Sequence, residues 1–380
     1  MKVRSSRPTP RRPAIRRLAS ITALSCAAAT ILIAPNAHAG PGTKGVRHLG
    51  MGEASRASAT GTDAAMNNPS GLGLTQQFAI TPGYQIFIPD LTHGISAYIL
   101  DSLNNPRFSL ALGYEFLKGT PKVGYLDSGG ETQDFDLSYF GHEVGASINV
   151  AAIMGWWWLA IKPKFQYTSL RYLDDEGKAI DATPRLRSFG FDVATTMSFK
   201  GWVNVAFVAE NLVGNNGPAW TEDDPITIEG VEEFDDATNA SLDLSRVRRV
   251  SDYPLTLTHA ISIQPLRTST FSLNFDGSYD FTSYKDQDKK VRTIFAGGGE
   301  FVIREMIPIR AGVTWDGRGR GRDDDKLYVG GGLGFIKTPK VGGTGVDIGV
   351  SFQQQVQKRD DSPLETTVGL HIGLRFHPDL

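Results

Sequence analysis

The stretch from Glu365 to Phe376 constrains the fold of this chain more than any other part of the sequence. Apolar residues alternate in it with small or charged residues. The apolar set is Val368, Leu370, Ile372, Leu374 and Phe376, and the other set is Gly369, His371, Gly373 and Arg375. A period of two places every second side chain on the same face of a β-strand. Because the same rhythm recurs along the chain, the sequence predicts an all-β fold, a transmembrane antiparallel β-barrel.

Fourteen segments show this strand pattern, and an even count with about ten residues per strand suits a barrel that crosses a bilayer. Long polar connections, such as Lys118–Leu137, mostly follow odd-numbered strands, and short ones follow even-numbered strands. This parity is typical of long outer loops and short periplasmic turns. The predicted strands are Phe78–Phe87, His93–Asp101, Arg107–Leu117, Ser138–Val150, Trp157–Leu170, Arg185–Phe199, Trp202–Asn211, Leu255–Gln264, Thr270–Phe281, Lys290–Ile303, Pro308–Trp315, Lys326–Phe335, Gly345–Val356 and Glu365–Phe376.

The first 39 residues are typical of a secretory signal peptide. They carry seven Lys or Arg and no acidic residue, then an apolar run from Leu18 to Ile33, and they end in Ala37-His38-Ala39. Such a basic region, apolar region and A-x-A site predict export and cleavage, with an uncleaved anchor as the alternative. After residue 40 no apolar run is long enough for a transmembrane helix, which requires about 20 residues. A membrane location for the rest therefore requires a closed barrel.

The remaining chain divides by composition into three parts. Residues 40–75 are rich in Gly, Ala, Ser and Thr without strand alternation, so we expect a segment without regular structure. Residues 76–376 form the predicted barrel, and 377–380 a short tail after the aromatic Phe376, which we expect to serve as a C-terminal assembly signal. Aromatic residues at predicted turns, including Trp156, Trp157, Trp158 and Trp202, indicate a belt at the periplasmic interface.

Many charged residues occupy positions that the alternation assigns to the lumen. Charges are costly in hydrocarbon, which supports the inward assignment. These side chains could line a passage, pair with one another or hold a plug, and the sequence does not separate these roles. The lumen-facing set is Glu115, Glu143, Lys162, Lys164, Asp192, Glu210, Asp276, Asp280, Arg310, Asp347 and Arg375.

The sequence gives no support for an enzyme, a cofactor or a nucleic-acid partner. The net charge is −2, the single cysteine cannot build a metal cluster or disulfide framework, and the seven histidines are scattered. The runs Gly297–Gly299 and Gly330–Gly332 lack the lysine of a phosphate loop, so we expect them to relieve crowding or allow bending within strands. The acidic stretch 222–236 could hold calcium, but it lacks ordered ligand spacing and is better explained as a solvated loop.

The stretch after the predicted signal carries a family resemblance. Gly50-Met51-Gly52-Glu53-Ala54, Thr62-Asp63-Ala64-Ala65 and Asn67-Asn68-Pro69-Ser70-Gly71-Leu72 together resemble the start of the FadL/TodX outer-membrane transport family and of related PorV-type proteins. Val205–Leu212 and Pro308–Asp316 resemble two later strands of the same family. Ser70 departs from the family's alanine, and the chain continues for four residues beyond Phe376 where such barrels often end on an aromatic.

The resemblance implies a barrel of fourteen strands in the outer membrane of a Gram-negative bacterium, with the N-terminal segment folded inside as a hatch. The implied function is passive, hatch-gated transport of hydrophobic small molecules such as long-chain fatty acids or hydrocarbons. The implied partners are outer-membrane lipid and the ligand. The alternative is a PorV-like barrel that docks secreted or surface proteins, and a purely structural barrel comes third. The expected hatch or gate residues are Gly50, Gly52, Asp63, Asn67, Asn68, Pro69, Ser70 and Gly71.

Overall fold

The structure, a computed structural model, describes most of the chain after the predicted signal peptide. The described residues are 43–88, 91–102, 105–120, 122–126, 132–172, 185–212, 255–268, 270–281, 291–317, 325–337, 343–357 and 364–376. The predicted signal peptide 1–39, the acidic stretch 222–236 and the tail 377–380 lie outside them. Within these ranges, no helix has the length and apolar character needed to span a bilayer.

The wall of the fold is a single antiparallel sheet closed on itself. β3 pairs with β5 and β1 pairs with β15, so fourteen described strands complete the circle, and the predicted fourteen-stranded antiparallel barrel is confirmed. The strands are β1 (Phe78–Ile88), β2 (Thr92–Asp101), β3 (Phe108–Gly119), β4 (Lys122–Leu126), β5 (Thr132–Ile153), β6 (Trp157–Tyr172), β7 (Arg185–Phe199), β8 (Val203–Glu210), β9 (Thr256–Ile263), β10 (Phe271–Asp280), β11 (Arg292–Ile303), β12 (Ile307–Gly317), β13 (Lys326–Lys337), β14 (Thr344–Gln355) and β15 (Thr366–Phe376).

The additional strand, β4, corrects one prediction. The connection Lys118–Leu137 was expected to be a polar loop, but Lys122–Leu126 pairs with Thr132–Asp136 at the start of β5. β5 is 22 residues long and continues beyond the part that pairs with β3, so it offers a free edge on which β4 forms a hairpin. The glycine and acidic content of this connection hid the hairpin from a reading based on alternation.

The two rims of the barrel can be distinguished by the strand ends that form them. β1 begins at Phe78, which lies opposite Phe376 at the end of β15, so we call this rim the terminal end. Phe376 also lies opposite Thr344, the first residue of β14, so β15 lies between β1 and β14. The opposite rim, where β3 ends at Gly119 and β8 ends at Glu210, is the loop end.

The outer face of the wall is apolar. On β3, Leu112 is 62 % exposed while its neighbour Ala111 is buried, and on β7 Phe189 is 59 % exposed. A water-soluble barrel does not expose its apolar face along every strand, whereas a lipid-facing wall does. Further exposed outward residues include Ile80, Ile95, Ile99, Leu110, Val144, Ile148, Leu159, Ile161, Phe165, Phe207, Phe275, Phe295, Ile309, Val313, Leu333, Val350, Leu370 and Ile372.

Aromatic side chains lie near both rims, as in interfacial belts, and near the loop end the rings of Phe295 and Trp315 are 5.8 Å apart. At the terminal end, the rings of Phe78 and Phe376 are 5.7 Å apart, and those of Trp156 and Phe199 are 5.8 Å apart. Trp158 corrects the predicted belt, because it is only 5 % exposed and faces the lumen. The period of two in β6 turns Trp158 inward together with the buried Ala160 and Lys162.

The N-terminal segment, Thr43–Thr75, lies inside the barrel. It corrects the expectation of a stretch without regular structure, because it contains helix α1 (Val46–Gly50), a 3₁₀ helix (Arg56–Ser58), helix α2 (Gly61–Asn67) and a second 3₁₀ helix (Pro69–Leu74). These elements contact different sectors of the wall. α1 meets β12 to β15, the first 3₁₀ helix meets β8 to β10, α2 meets β1 to β3, and the second 3₁₀ helix meets β3 and β5 to β7. The segment therefore spans the lumen from wall to wall.

Candidate functional site

Helix α1 ends in a turn that depends on Gly52. The backbone N–H of Gly52 donates to Leu49 O (3.1 Å), and that of Glu53 donates to His48 O (2.8 Å). This pair of bonds is the Schellman arrangement, which requires a left-handed residue, and Gly52 has φ of 60°. A side chain there would also meet Val313 N at 2.5 Å. The Gly-x-Gly pattern thus ends the helix and brings its backbone against the wall.

The glycine runs of the wall form the surface that receives this turn. A Cβ atom on Gly298 or Gly312 would collide with Met51 O, and one on Gly330 would lie 2.6 Å from Leu49 O. Gly50 fits against Gly332 and Ser351 in the same way. The glycines were expected to relieve crowding or bend strands. Here they allow close approach of the backbone of the N-terminal segment, and we call Gly298, Gly312 and Gly330 the glycine seat.

The Asn-Pro-Ser motif attaches the segment to β7. Asn68 donates through Nδ2 to Thr196 Oγ1 (2.9 Å) and to Arg56 O (2.8 Å), while its Oδ1 accepts from Ser70 Oγ (2.6 Å). Ser70 Oγ also lies 2.7 Å from Thr196 Oγ1. Asn68, Ser70 and Thr196 are fully buried. Pro69 begins the second 3₁₀ helix, and Gly71 is required because a Cβ there would collide with Ala59 O.

Asp63 links the two helices of the segment. Its carboxylate accepts from Asn67 Nδ2 (3.1 Å) and Ser55 Oγ (3.4 Å), and it lies 3.7 Å from Arg47 Nη1. A Cβ on Gly45 would displace the same carboxylate, so the absence of a side chain there lets Asp63 take this position. Burial raises the pKa of Asp63, and the charge of Arg47 opposes this. The aspartate and asparagine of the motif therefore support the segment from within.

An arginine of α1 is held by the wall. Arg47 donates through Nε and Nη2 to the Glu300 carboxylate of β11 (3.1–3.2 Å) and through Nη1 to Ser58 O (2.9 Å). Glu300 also accepts from Arg310 Nε of β12 (2.7 Å). One wall carboxylate thus joins a wall arginine to an arginine of the segment, which anchors α1 electrostatically.

Two further basic residues, Arg56 and Lys44, fix the segment elsewhere. Arg56 approaches Asp276 Oδ2 (3.6 Å) and Glu210 Oε1 (3.5 Å), and its backbone N–H donates to Asp276 (3.1 Å). Lys44 pairs with Glu53, whose carboxylate also accepts from Gln353 Nε2 of β14 (2.8 Å). Together with the Arg47 site, these contacts attach the segment to sectors β8–β10 and β11–β14.

The other predicted lumen charges pair along the wall. Lys162 donates to Glu143 (2.9 Å), and Lys164 lies 2.8 Å from Asp192. Asp347 pairs with Arg375, and it accepts from His371 Nε2 at 3.1 Å if that nitrogen carries the proton. Glu115 accepts from Thr43 N (2.7 Å) and from the Tyr98 hydroxyl. The predicted lumen charges therefore serve two of the roles considered: these side chains pair along the wall, whereas Glu210, Asp276 and Arg310 hold the N-terminal segment directly or through Glu300.

Two further titratable groups of the segment, His48 and Glu53, have shifted pKa values. Burial, followed by the charge of Arg56, lowers the pKa of His48 well below its usual range, so this imidazole is neutral; its Nδ1 lies 2.9 Å from Ser55 Oγ. Burial alone would raise the pKa of Glu53. The charge of Lys44 and the hydrogen bonds from Lys44 and Gln353 outweigh the effect of burial and lower the pKa of Glu53 to about 2.

Cavities lie on both sides of the segment. The loop-side cavity, about 200 Å³, reaches Tyr139, Gln166 and Asn211 near the loop end. The terminal-side cavity, about 370 Å³, reaches Asn204 and Gln264 near the terminal end. A third cavity of about 180 Å³ shares Glu53, Arg56 and Glu210 with the loop-side cavity. The cavity walls are rich in charged and polar groups, unlike the mostly apolar lining of typical ligand pockets.

Sequence reasoning missed the residues that hold the segment from its own side, namely Lys44, Arg47, Glu53 and Arg56, and it missed Glu300 on the wall. The sequence did offer one signal for them. Many charged residues occupy lumen-facing positions, and such charges need partners of opposite sign when they are withdrawn from water. Across the part of the chain that the structure describes, no group of three or more His, Cys, Asp or Glu is arranged to hold a metal ion.

No protein-family model matches the sequence, and no curated protein sequence matches it either. Among solved structures it is similar to the toluene transporter TbuX of Ralstonia pickettii, with a TM-score of 0.58, 12% identity and coverage of 88% of this chain and 98% of that one. It is also similar to the CymD monoaromatic hydrocarbon channel, with a TM-score of 0.59, 13% identity and coverage of 90% and 99%.

A third similar structure is a FadL homologue of Pseudomonas aeruginosa, with a TM-score of 0.54, 14% identity and coverage of 90% of this chain and 99% of that one. At these identities the likeness concerns the fold. The fold of this chain is thus that of the FadL/TodX-type barrels over nearly its whole length, as the N-terminal motif indicated.

Proposed function

We propose that this chain is a passive outer-membrane transporter of hydrophobic or amphipathic small molecules. The observation that carries the proposal is a closed barrel whose lumen is filled by one segment, with a cavity on either side of it. The structures that share this fold include proteins named as toluene transporters and a monoaromatic hydrocarbon channel. A passive route of this kind needs no catalytic group and no cofactor.

In this proposal the N-terminal segment is the hatch. Gly50, Gly52 and the glycine seat set its depth, and Asn68 and Ser70 fix it to Thr196. Asp63, Asn67, Pro69 and Gly71 keep its two halves together. Arg47 and Arg56 hold it against the wall through ion pairs, which are noncovalent and can break and re-form. Conformational changes within the segment can therefore control the passage of solutes.

The location follows from the same features. An apolar exterior with aromatic rings at both rims is suited to lipid, and a signal peptide over residues 1–39 would export the chain. We therefore place the protein in the outer membrane of a Gram-negative bacterium, where membrane lipid is its constant partner.

One observation favours a second function, a PorV-like barrel that docks secreted or surface proteins. The described lumen is plugged and its cavities are lined largely by paired charges such as Lys162–Glu143 and Lys164–Asp192. An apolar groove would bind a hydrocarbon better than these groups do. The loops at the loop end, where a docked protein would sit, fall mostly outside the described residues.

Uptake by whole cells tests the proposal. Gram-negative cells without their own route would carry no insert, the intact chain, or the chain with Asn68→Ala and Ser70→Ala together. The initial rates of uptake of [¹⁴C]toluene and [¹⁴C]oleate are measured, and heat-modifiability on gels verifies that each barrel is folded in the outer membrane. The matched control is Ser109→Ala on the inner face of β3, a buried serine outside the motif.

The proposal predicts uptake that requires the intact chain, is unchanged in Ser109→Ala, and is altered in the double variant. Equal uptake with and without a folded barrel, for both compounds, would contradict it. In that case, recovery of secreted proteins with the intact barrel would support the docking function.

A further inference from the structure

The cavities on the two sides of the N-terminal segment approach each other at one place. Among the described residues, Lys44 and Met66 are the only ones that line both the loop-side and the terminal-side cavity. The residues next to them line only one of these two cavities. Thr43 and Asn67 line the loop-side cavity, and Gly45 and Asp63 line the terminal-side cavity. Lys44 and Met66 therefore stand between the two cavities.

The main chain around this barrier is firmly attached. Thr43 N donates to Glu115 (2.7 Å), Lys44 N donates to Gln85 Oε1 (3.0 Å), and Glu115 is held by the Tyr98 hydroxyl. On the other side, Asn67 and Asn68 fix the end of α2. Because these bonds are buried or partly buried, displacement of the backbone here would leave several polar groups without partners.

The two side chains themselves are the adaptable part. The side chain of Lys44 is 34% exposed, and only its ammonium is held, by Glu53 and by Gln353 Oε1 at 3.3 Å. Met66 is half-buried and packs at the edge of a cluster that contains Ala64, Ala65 and Tyr98. Methionine and lysine side chains are unbranched and have several rotatable bonds, so they can change conformation while the backbone stays in place.

We propose that Lys44 and Met66 form the gate, and that the passage opens by rotation of these side chains while the rest of the N-terminal segment stays in place. The inference rests on the proposed function, because it supposes that solutes cross the barrel. It replaces movement of the whole segment, which would break the Arg47–Glu300 and Arg56–Asp276 pairs, with movement of two side chains that already face both cavities.

Accessibility to a water-soluble reagent tests the geometry without any transported substrate. Met66→Cys and Ala65→Cys would each be made in the full chain with Cys26→Ser, reconstituted in liposomes and treated from outside with a membrane-impermeant methanethiosulfonate sulfonate. Ala65 is 1 % exposed and serves as the matched control on the same helix. The proposal predicts labelling of Met66→Cys at least tenfold faster than of Ala65→Cys, and equal rates would overturn it.

Conductance in planar bilayers in potassium chloride tests the gate itself. Met66→Gly should raise the ionic conductance of the single barrel roughly threefold, and Met66→Trp should lower it, because the width of the narrowest point limits flow. A disulfide between Ala57→Cys and Ala206→Cys, two alanines of one buried cluster, would tie the segment to β8. Met66→Gly and Met66→Trp should change the conductance in the same way whether this disulfide is formed or has been reduced.

The locked protein also separates two failures. If locking abolishes conductance and reduction restores it, the segment must move and the gate proposal is wrong. If Met66 substitutions alter ion flow but cells show no protein-dependent uptake of toluene or oleate, the gate stands and the proposed substrate class fails. If conductance is unchanged by both Met66→Gly and Met66→Trp in a folded barrel, the gate proposal is overturned.

Discussion

Ser70 Oγ lies 2.7 Å from Thr196 Oγ1, and this contact attaches the N-terminal segment to the inner face of β7. Both side chains are fully buried, and Asn68 hydrogen-bonds to each of them. Ser70 is the residue at which the motif departs from the alanine of the FadL/TodX-like pattern. The departure adds a hydroxyl that has two partners, so it strengthens the attachment rather than disturbing it.

The first prediction concerns this pair. Ser70→Ala removes a buried hydroxyl and leaves Asn68 Oδ1 with a single donor, so local opening of the segment should become easier by about 1–2 kcal/mol. Thr196→Val should cost a similar amount, and the double variant less than the sum, with a coupling energy of roughly 0.5–1.5 kcal/mol. Hydrogen exchange of residues 60–74, measured by mass spectrometry, gives these values. Strictly additive effects would show that the two hydroxyls do not interact.

The second prediction concerns Glu300, which accepts from Arg47 and Arg310 together. Glu300→Ala would leave two buried arginines without their carboxylate, and loss of one partner of a buried pair typically costs about 3–5 kcal/mol. We expect the N-terminal segment to become accessible to trypsin at Arg56 in folded barrels. The double variant Arg47→Met with Glu300→Met should recover much of the protection at Arg56, because neither member of the Arg47–Glu300 pair is then left buried without the other. If Glu300→Ala resists trypsin as the wild type does, the anchor is not essential.

The third prediction is a pH dependence that arises from His48. Its pKa is lowered in the seated segment and returns toward 6.5 when the segment is released, so the released state binds more protons. The free energy by which His48 favours the seated segment over the released one is therefore fully present above pH 6.5. It decreases as the pH falls below 6.5, by at most about 1.4 kcal/mol per pH unit. Conductance of reconstituted barrels should rise between pH 7 and pH 5, and His48→Gln should remove this rise.

Glu53 predicts a second pH dependence, in a lower pH range than that of His48. Its pKa is lowered from 4.5 to about 2 by its contacts with Lys44 and Gln353, so its contribution persists at pH 5 and is lost only as the pH falls from about 4.5 toward 2. Glu53→Gln should leave the pH 7 to pH 5 response intact and weaken the change below pH 4.5. A wild-type conductance that stays constant from pH 7 to pH 3 would contradict both assignments.

The sequence predicted the wall well because each strand carries its own signal. The alternation in Thr366–Phe376 is complete within eleven residues, and it follows directly from one apolar and one polar face. β4 was missed because its pairing depends on the overlong β5 rather than on a pattern of its own. Trp158 was misplaced because the three consecutive tryptophans were assigned as a group, although adjacent strand residues must face opposite sides.

The interior of the barrel was less predictable for two reasons. Helices α1 and α2 have five and seven residues, which is too short for a periodic apolar face and too short to be stable alone. The contacts that hold them are also far apart in sequence, since Arg47 and Glu300 are separated by 253 positions. The identity of the N-terminal motif could be read from its residues, but its wall partners required the register of the strands.

The most direct test of the central claim, that a seated N-terminal segment closes the lumen, compares two adjacent glycines of β11. Gly298→Ala would drive a methyl group into Met51 O and unseat α1, whereas at Gly297 a methyl group would meet only the Phe275 ring, at 3.6 Å. Single-barrel conductance in planar bilayers should rise several-fold for Gly298→Ala and stay at the wild-type level for Gly297→Ala. Equal conductance of both variants and the wild type, in folded barrels, would contradict the claim.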